Sequence, residues 1–231
     1  MTSIFLLASD LAIFFLAPKS NKATFRSPVP TLYGLSHVVF STTPVTLKLC
    51  IFSITSLKSS YFVVVIIPFI QPLFLMILVK CLVSIHDGVM LSNGPGDPSE
   101  NVEIIKEVKK LSESGLPIFA ICLGHQLMAL AHGFKTEKLK YGHHGANHPV
   151  KDLNTGRVYI STQNHNYVIC DDSIDRNIAK PWFINVNDQT IEGVEYMGKN
   201  IKTVQFHPEA CAGPLDTDAL FDEFEKMMEG K

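Results

Sequence analysis

Five cysteines in 231 residues share no C-x-x-C pair and no regular spacing. That excludes a disulfide framework and a zinc knuckle, and it points to a reducing compartment, read here as the cytoplasm. Basic runs interleaved with aromatics are also lacking. Residues 1–86 carry six Lys/Arg and one Asp, or +5; residues 87–231 carry the other 14 Lys/Arg and 21 acids, or −7; the sum is the formal −2 of the chain. Neither half suggests nucleic acid as a partner. An unbroken membrane-length run is missing as well. Residues 4–17 are apolar but too short to span a bilayer, with no basic start and no clear small-residue cleavage site to make a signal peptide. Residues 61–79 are long enough, yet Pro68, Gln71 and Pro72 interrupt them, and an interior proline costs a helix about 3 kcal/mol.

Between those two runs the sequence is rich in Ser, Thr and Pro and keeps neither helical nor alternating periodicity, so residues 1–86 are expected to be an irregular hydrophobic segment. Three readings of it stand: a membrane anchor, a stretch foreign to the rest of the chain such as translated non-coding sequence, or a soluble subdomain. From Asp87 the character changes. With 46% hydrophobic residues the chain can bury one sizeable α/β domain, assigned to residues 87–231.

What organises that domain is Leu116-Pro117-Ile118-Phe119-Ala120-Ile121-Cys122-Leu123-Gly124-His125-Gln126. A short apolar run ends in a cysteine, then come a glycine and an amphipathic segment. This is the pattern of a buried parallel strand that delivers a nucleophile on a tight turn into a helix, the nucleophile elbow. The helix is expected over about 124–132, with Leu127, Leu130 and Ala131 at helical spacing and Gly133 as its stop. A cysteine placed over a helix N-terminus meets unpaired N–H groups and the positive dipole end, which favour thiolate. A free cysteine is by itself more often an inert core residue, so the rest of the chain has to decide.

Upstream, Val89-Met90-Leu91 reads as a strand ending in Ser92-Asn93-Gly94-Pro95-Gly96-Asp97-Pro98, a rigid turn whose N–H groups can face a ligand. Asp97 suits a helix N-cap, Pro98 the first helical position and Glu100 a capping-box partner. Val102, Ile105, Val108 and Leu111 recur at threes, predicting a helix to about Ser114 stopped by Gly115. Strand, turn, helix, strand, elbow and helix make a βαβα unit. The expected fold is α/β, a central mostly parallel sheet with flanking helices.

Three motifs in order, Asn93-Gly94-Pro95-Gly96-Asp97-Pro98, Ile121-Cys122-Leu123-Gly124-His125-Gln126 and Gln205-Phe206-His207-Pro208-Glu209-Ala210, resemble the class I glutamine amidotransferases. Within that family, Tyr141-Gly142-His143-His144-Gly145-Ala146-Asn147-His148-Pro149-Val150 and Gln163-Asn164-His165 resemble the small, glutaminase subunit of carbamoyl-phosphate synthase. The resemblance covers 87 to about 228. It implies hydrolysis of L-glutamine to glutamate and ammonia through a cysteine thioester, with ammonia passed to a large, ATP-using synthetase subunit that makes carbamoyl phosphate for pyrimidine and arginine synthesis. It implies Cys122 as nucleophile, His207 as base and Glu209 as the carboxylate behind it. The backbone N–H groups of Gly94 and Leu123 would hold the oxyanion. Gly96, Gln126, Asn164, Asn166 and Tyr167 would complete the substrate pocket. No cofactor is implied for this chain. An anthranilate- or guanylate-type amidotransferase is the alternative inside the family, and the Gly142–Pro149 run speaks against it; an inactive, truncated or membrane-tethered remnant is the alternative outside it.

His143, His144, His148 and His165 crowd one region, but their spacing fits no zinc pattern and no cysteine lies near in sequence, so no metal is expected. The resemblance implies instead that they order loops beside the active site and face the partner subunit. Where the family pattern has glycine, Ala120 and Asn166 stand here; Asn166 is expected to take up positive φ and to intrude on the substrate. Residues 1–86 match none of the family's preceding sequence, which supplies inner strands. Residues 63–67 or 76–79 could replace them, and 75–83 is expected beside the Val89–Leu91 strand.

Overall fold

A computed structural model describes the backbone of residues 34–39, 49–55 and 60–66, and residues 87–210 and 216–230 in full. The ten strands it contains form one sheet in the order β1-β2-β3-β4-β5-β10-β9-β7-β6-β8. β4 (Gly88–Leu91), β5 (Ile118–Ile121) and β10 (Ile201–Val204) lie at its centre. β1 (Gly34–Val39), β2 (Leu49–Thr55) and β3 (Ser60–Ile66) extend one side. β9 (Ile191–Tyr196), β7 (Val158–Ile169), β6 (Thr136–Asp152) and β8 (Ala179–Asn185) extend the other.

The centre is buried on both faces, as parallel strands require. In β5, Ile118 and Ala120 enter one apolar cluster while Phe119 and Ile121 enter another, so the strand's period of two feeds opposite sides. The first face is covered by α1 (Val102–Leu111) and α2 (Leu123–Ala131), through Ile104, Val108, Leu111, Leu127 and Met128. The second is covered by α3 (Ala219–Glu229), whose Phe224 stacks on Phe119 at 5.8 Å between ring centroids.

Several expectations are corrected. The sheet is not mostly parallel: β3–β4, β4–β5 and β5–β10 run parallel, and every other pairing is antiparallel. The reason lies in the connections. Helical crossovers need a dozen or more residues, whereas short turns such as the one joining β6 to β7 force antiparallel neighbours. The N-terminal segment is not wholly irregular, since β1, β2 and β3 form a meander and β3 opens the run of membrane-spanning length. The place beside β4 belongs to β3, in the register Val63↔Gly88 to Ile66↔Leu91; the expected neighbour, 75–83, lies outside the described residues, as does 76–79. Among the described residues no helix is long and apolar enough to cross a membrane.

The first helix also starts differently. Asp97 does cap, its Oδ1 accepting from the Ser99 N–H at 2.9 Å, but only a 3-10 turn, Pro98–Glu100, comes after it. Asn101 leaves helical geometry at φ −90°, ψ 44°, and α1 begins after it. Its buried stripe is Ile104, Val108 and Leu111, while Val102 is 55% exposed: the restart rotates the helix off the simple three-residue repeat.

Candidate active site

Parallel strands share an end, and the crevice outside their carboxyl ends is where open α/β sheets hold ligands. β4, β5 and β10 deliver the three sequence motifs to that end. After β4 comes the Ser92–Asp97 turn, after β5 comes Cys122, and after β10 come Gln205, Phe206 and His207. The elements are pinned by backbone. The Cys122 N–H donates to Val204 O at 2.8 Å, and the His207 N–H donates to Thr162 O of β7 at 2.9 Å.

Cys122 has φ 52° and ψ −105°, one of two positive-φ non-glycines among the described residues. A side chain in that region is strained, and such strain survives only where surrounding structure imposes it. Here the strand hydrogen bond lies before the residue and α2 begins immediately after it. The geometry turns the side chain off the strand and sets it over the helix start, where the first N–H groups lack intrahelical partners. Close packing is what allows this. A Cβ added to Gly124 would stand 2.6 Å from Leu91 O, so α2 meets the end of β4 at backbone distance. Any residue but glycine would push the helix away from the turn that carries Gly94.

His207 is the meeting point of the charges. Its Nδ1 lies 2.8 Å from Glu209 Oε1, and its buried Nε2 makes no hydrogen bond of standard geometry. Burial pushes the imidazole down, but the Cys122 sulfur and then the Glu209 carboxylate outweigh it and carry His207 up to about 10. Cys122 is thus brought to the His207–Glu209 pair, which lies far along the chain in a separate motif.

The residues expected around the substrate divide. Gln126 is buried, and its Nε2 donates to Tyr167 O at 2.8 Å and to Gln205 Oε1 at 2.9 Å. Gln205, which opens the third motif but carried no expected role of its own, is therefore the side chain that orients Gln126. Tyr167 interacts through its hydroxyl with the Asp97 carboxylate, which joins the β4 turn to β7. Gly96 has φ 99° with open space around it, and Leu123 is buried. Asn164 and Asn166 are exposed on β7, and His144 bridges them, Nδ1 at 3.0 Å from Asn164 Oδ1 and Nε2 at 3.3 Å from Asn166 Oδ1. Asn166 does not have the positive φ expected of it. It sits in strand geometry with its Oδ1 over Gly142, where an added Cβ would come within 2.6 Å.

The histidine-rich region is strand rather than loop. β6 and β7 pair with His143 opposite His165 and His144 opposite Asn164, with irregularities on either side. Burial depresses His165 to about 3, and it depresses His125, whose Nδ1 lies 2.7 Å from Thr203 Oγ1, to about 3 as well. His143 goes the other way, raised by the Glu192 carboxylate beside its Nδ1 and by Asp188 on its Nε2. Sequence spacing offered no metal set. The fold groups His143 and His165 with Glu192 of β9, which no local pattern links to them.

These features define a class. The class-I glutamine amidotransferase family matches residues 70–227, and the chain belongs to that family. Among curated relatives, the carbamoyl phosphate synthase small chain of Listeria monocytogenes serotype 4b (strain F2365) is 53% identical over 145 residues, which is 63% of this chain and 40% of that protein. The carbamoyl phosphate synthase small chain of Helicobacter hepaticus is 54% identical over 140 residues (61% and 36%), and that of Pyrococcus furiosus 46% over 145 residues (63% and 38%). The chain thus spans about 40% of the length of the curated relatives it matches. A solved structure, a putative GMP synthase subunit from Thermoplasma acidophilum, superposes with TM-score 0.57 at 23% identity, covering 66% of this chain and 78% of that one, a likeness of fold.

Proposed function

We propose that the chain hydrolyses glutamine to glutamate and ammonia, and that the ammonia supplies carbamoyl phosphate synthesis by a large, ATP-using subunit. The observation that carries this reading is the set Cys122–His207–Glu209 at the carboxyl ends of β5 and β10, with His207 held charged between the sulfur and the carboxylate. The turn at Cys122 acts as a nucleophile elbow. The amidotransferase unit includes residues 87–231 and, by the family match, starts by about residue 70; no cofactor is needed in it because cysteine and histidine supply the chemistry.

The steps follow from the chemistry of a cysteine, a histidine and a carboxylate acting together. Cys122 sulfur attacks the side-chain amide carbon of glutamine, and the charge that develops on the carbonyl oxygen is taken up by the N–H groups of Gly94 and Leu123. Donors of that kind contribute roughly 2.7–4 kcal/mol each. The His207 imidazolium gives its proton to the departing nitrogen, and ammonia leaves a γ-glutamyl thioester. Neutral His207 then takes a proton from water, which attacks the thioester and returns the thiolate. Glu209 keeps the ring oriented and balances its charge throughout. Gln126, held by Gln205 and Tyr167, lies one turn along α2 and addresses the amino-acid end of the substrate; Gly96, Asn164, Asn166 and Tyr167 line the rest. The relatives named carbamoyl phosphate synthase small chain support the extension to a large partner; a role in pyrimidine and arginine synthesis and a cytoplasmic setting are part of the same proposal.

Ammonia release from glutamine by the full chain tests the reading, with Cys122→Ser and residues 87–231 alone run in parallel. Release that disappears in Cys122→Ser is the expected result. A folded chain that releases no ammonia and forms no glutamyl thioester on Cys122 overturns it.

A further inference from the structure

Behind the face of β7 that carries Asn164 and Asn166, side chains from β6, β7 and β9 turn toward one point. We propose that His143 Nδ1, His165 Nε2 and the Glu192 carboxylate form a structural site for one divalent transition-metal ion of the zinc class. One ligand atom from each residue lies within 4.8 Å of the others, and all three residues are buried, at 8%, 5% and 0% exposure. His143 Nδ1 stands 3.3 Å from Glu192 Oε1. Two ligands on a tetrahedral ion with bonds of about 2.0–2.2 Å are separated by about 3.3 Å.

The outer contacts are those a metal site needs. Metal-bound histidines donate their other ring N–H to a carboxylate or a backbone carbonyl, which leaves the ligating nitrogen with its lone pair. His143 Nε2 lies 2.7 Å from Asp188 Oδ2, which leaves His143 Nδ1 facing the Glu192 carboxylate. His165 Nδ1 lies 2.9 Å from the Tyr167 carbonyl, which leaves Nε2 as the acceptor. Asn185 Nδ2 donates to Glu192 Oε1 at 3.0 Å and orients the carboxylate, while Oε2 has no partner. A wholly buried carboxylate with one lone oxygen is costly unless a cation balances it. His165 Nε2 also lies 2.5 Å from Gln163 Oε1. With Nδ1 donating, Nε2 has no proton for that contact. In the metal-bound form the carboxamide moves off the Nε2 lone pair and its oxygen takes a fourth coordination position.

The rival occupant is a proton: His143 charged on both nitrogens, balanced by Asp188 and Glu192. The two differ in what they do. A metal ties β6, β7 and β9 together beneath the residues assigned to glutamine, and it takes no part in the Cys122 chemistry.

The test uses tag-free full-length chain in a Cys122→Ser background, so that the Cys122–His207–Glu209 set cannot itself capture the ion. Protein stripped with a chelator is titrated with Zn2+ against a chromophoric competitor, and with Co2+ for the visible bands of tetrahedral coordination. One saturable site per chain is expected. Asp188→Asn, a change at a half-exposed turn residue that leaves the core intact, is expected to weaken it about 10–100-fold. Glu192→Gln should weaken it further and remove the Co2+ bands. No saturable site, or equal affinity in both variants and their parent, overturns the proposal and assigns the cluster to the proton.

Discussion

His207 sits between two groups that pull its proton affinity the same way, and that balance can be read directly. Glu209→Gln removes one of them while leaving the sulfur. The His207 ring is then expected to titrate below its value of about 10 in the parent, and Cys122→Ser should lower it too. The check is the pH dependence of the His207 ring-proton NMR signal. With the carboxylate gone, the pH range in which charged histidine faces the sulfur contracts from its alkaline side. Turnover should fall by about 10²-fold, the lower end of what a positioned proton-transfer group contributes; unchanged ring titration would show that Glu209 does not act through His207. At this scale the sequence was highly legible. Cys122, His207 and Glu209 are each marked by motif. The role of Gln205 was not, because its contact with Gln126 joins residues 79 apart, and nothing local signals it.

Elements meet here through small residues and through charge. Gly124→Ala is expected to force α2 away from Leu91, since the new methyl would collide with a backbone oxygen that cannot move alone. Overpacking of this kind costs about 1–3 kcal/mol. The melting temperature should fall, and glutamine turnover should fall more than stability alone explains, because the helix start and the Gly94 turn separate. A second device links three neighbouring strands. Glu195 of β9 pairs with Lys180 of β8 at 2.7 Å and with Lys202 of β10 at 2.9 Å. Burial works to raise its carboxyl, but these partners and Asn154 outweigh it and hold it below the usual glutamate range. Its folded value is therefore depressed, so its contribution is present above the unfolded value of about 4.3 and is lost as pH falls through the folded value. Urea midpoints measured across that acid range should decline less steeply in Glu195→Gln than in the parent. Helix positions were legible from periodicity and from Gly115 and Gly133. The break at Asn101 was not, because asparagine serves equally as a cap and as an interruption.

Across the whole molecule, stability rests on two apolar clusters on opposite faces of one sheet. Phe224→Ala opens the second cluster under Phe119, at a cost of about 3–5 kcal/mol by the usual measure for a buried aromatic. A thermal melt checks it, and a shift of only a degree or two would mean that α3 contributes little. The N-terminal side has a consequence of its own. Removing residues 1–86 takes away β3 and bares the backbone edge of β4, in the middle of the sheet. An exposed edge recruits other strands. Residues 87–231 alone should therefore elute larger than a monomer in size-exclusion chromatography, and the full chain should not.

The sequence by itself marked Cys122, His207 and Glu209, the residues proposed as nucleophile, base and carboxylate, together with the glycine-rich turn and the helices around Cys122. These rest on short-range chemistry: apolar periodicity, caps and turn residues act over a few positions. Only the tertiary structure decided that antiparallel strands flank a narrow parallel core, that β3 lies beside β4, and that Asn166 is strand rather than turn. It alone brought Glu192 to His143 and His165. Those outcomes depend on which strands pair and in what register, a choice settled by long-range packing that leaves no local mark on the chain.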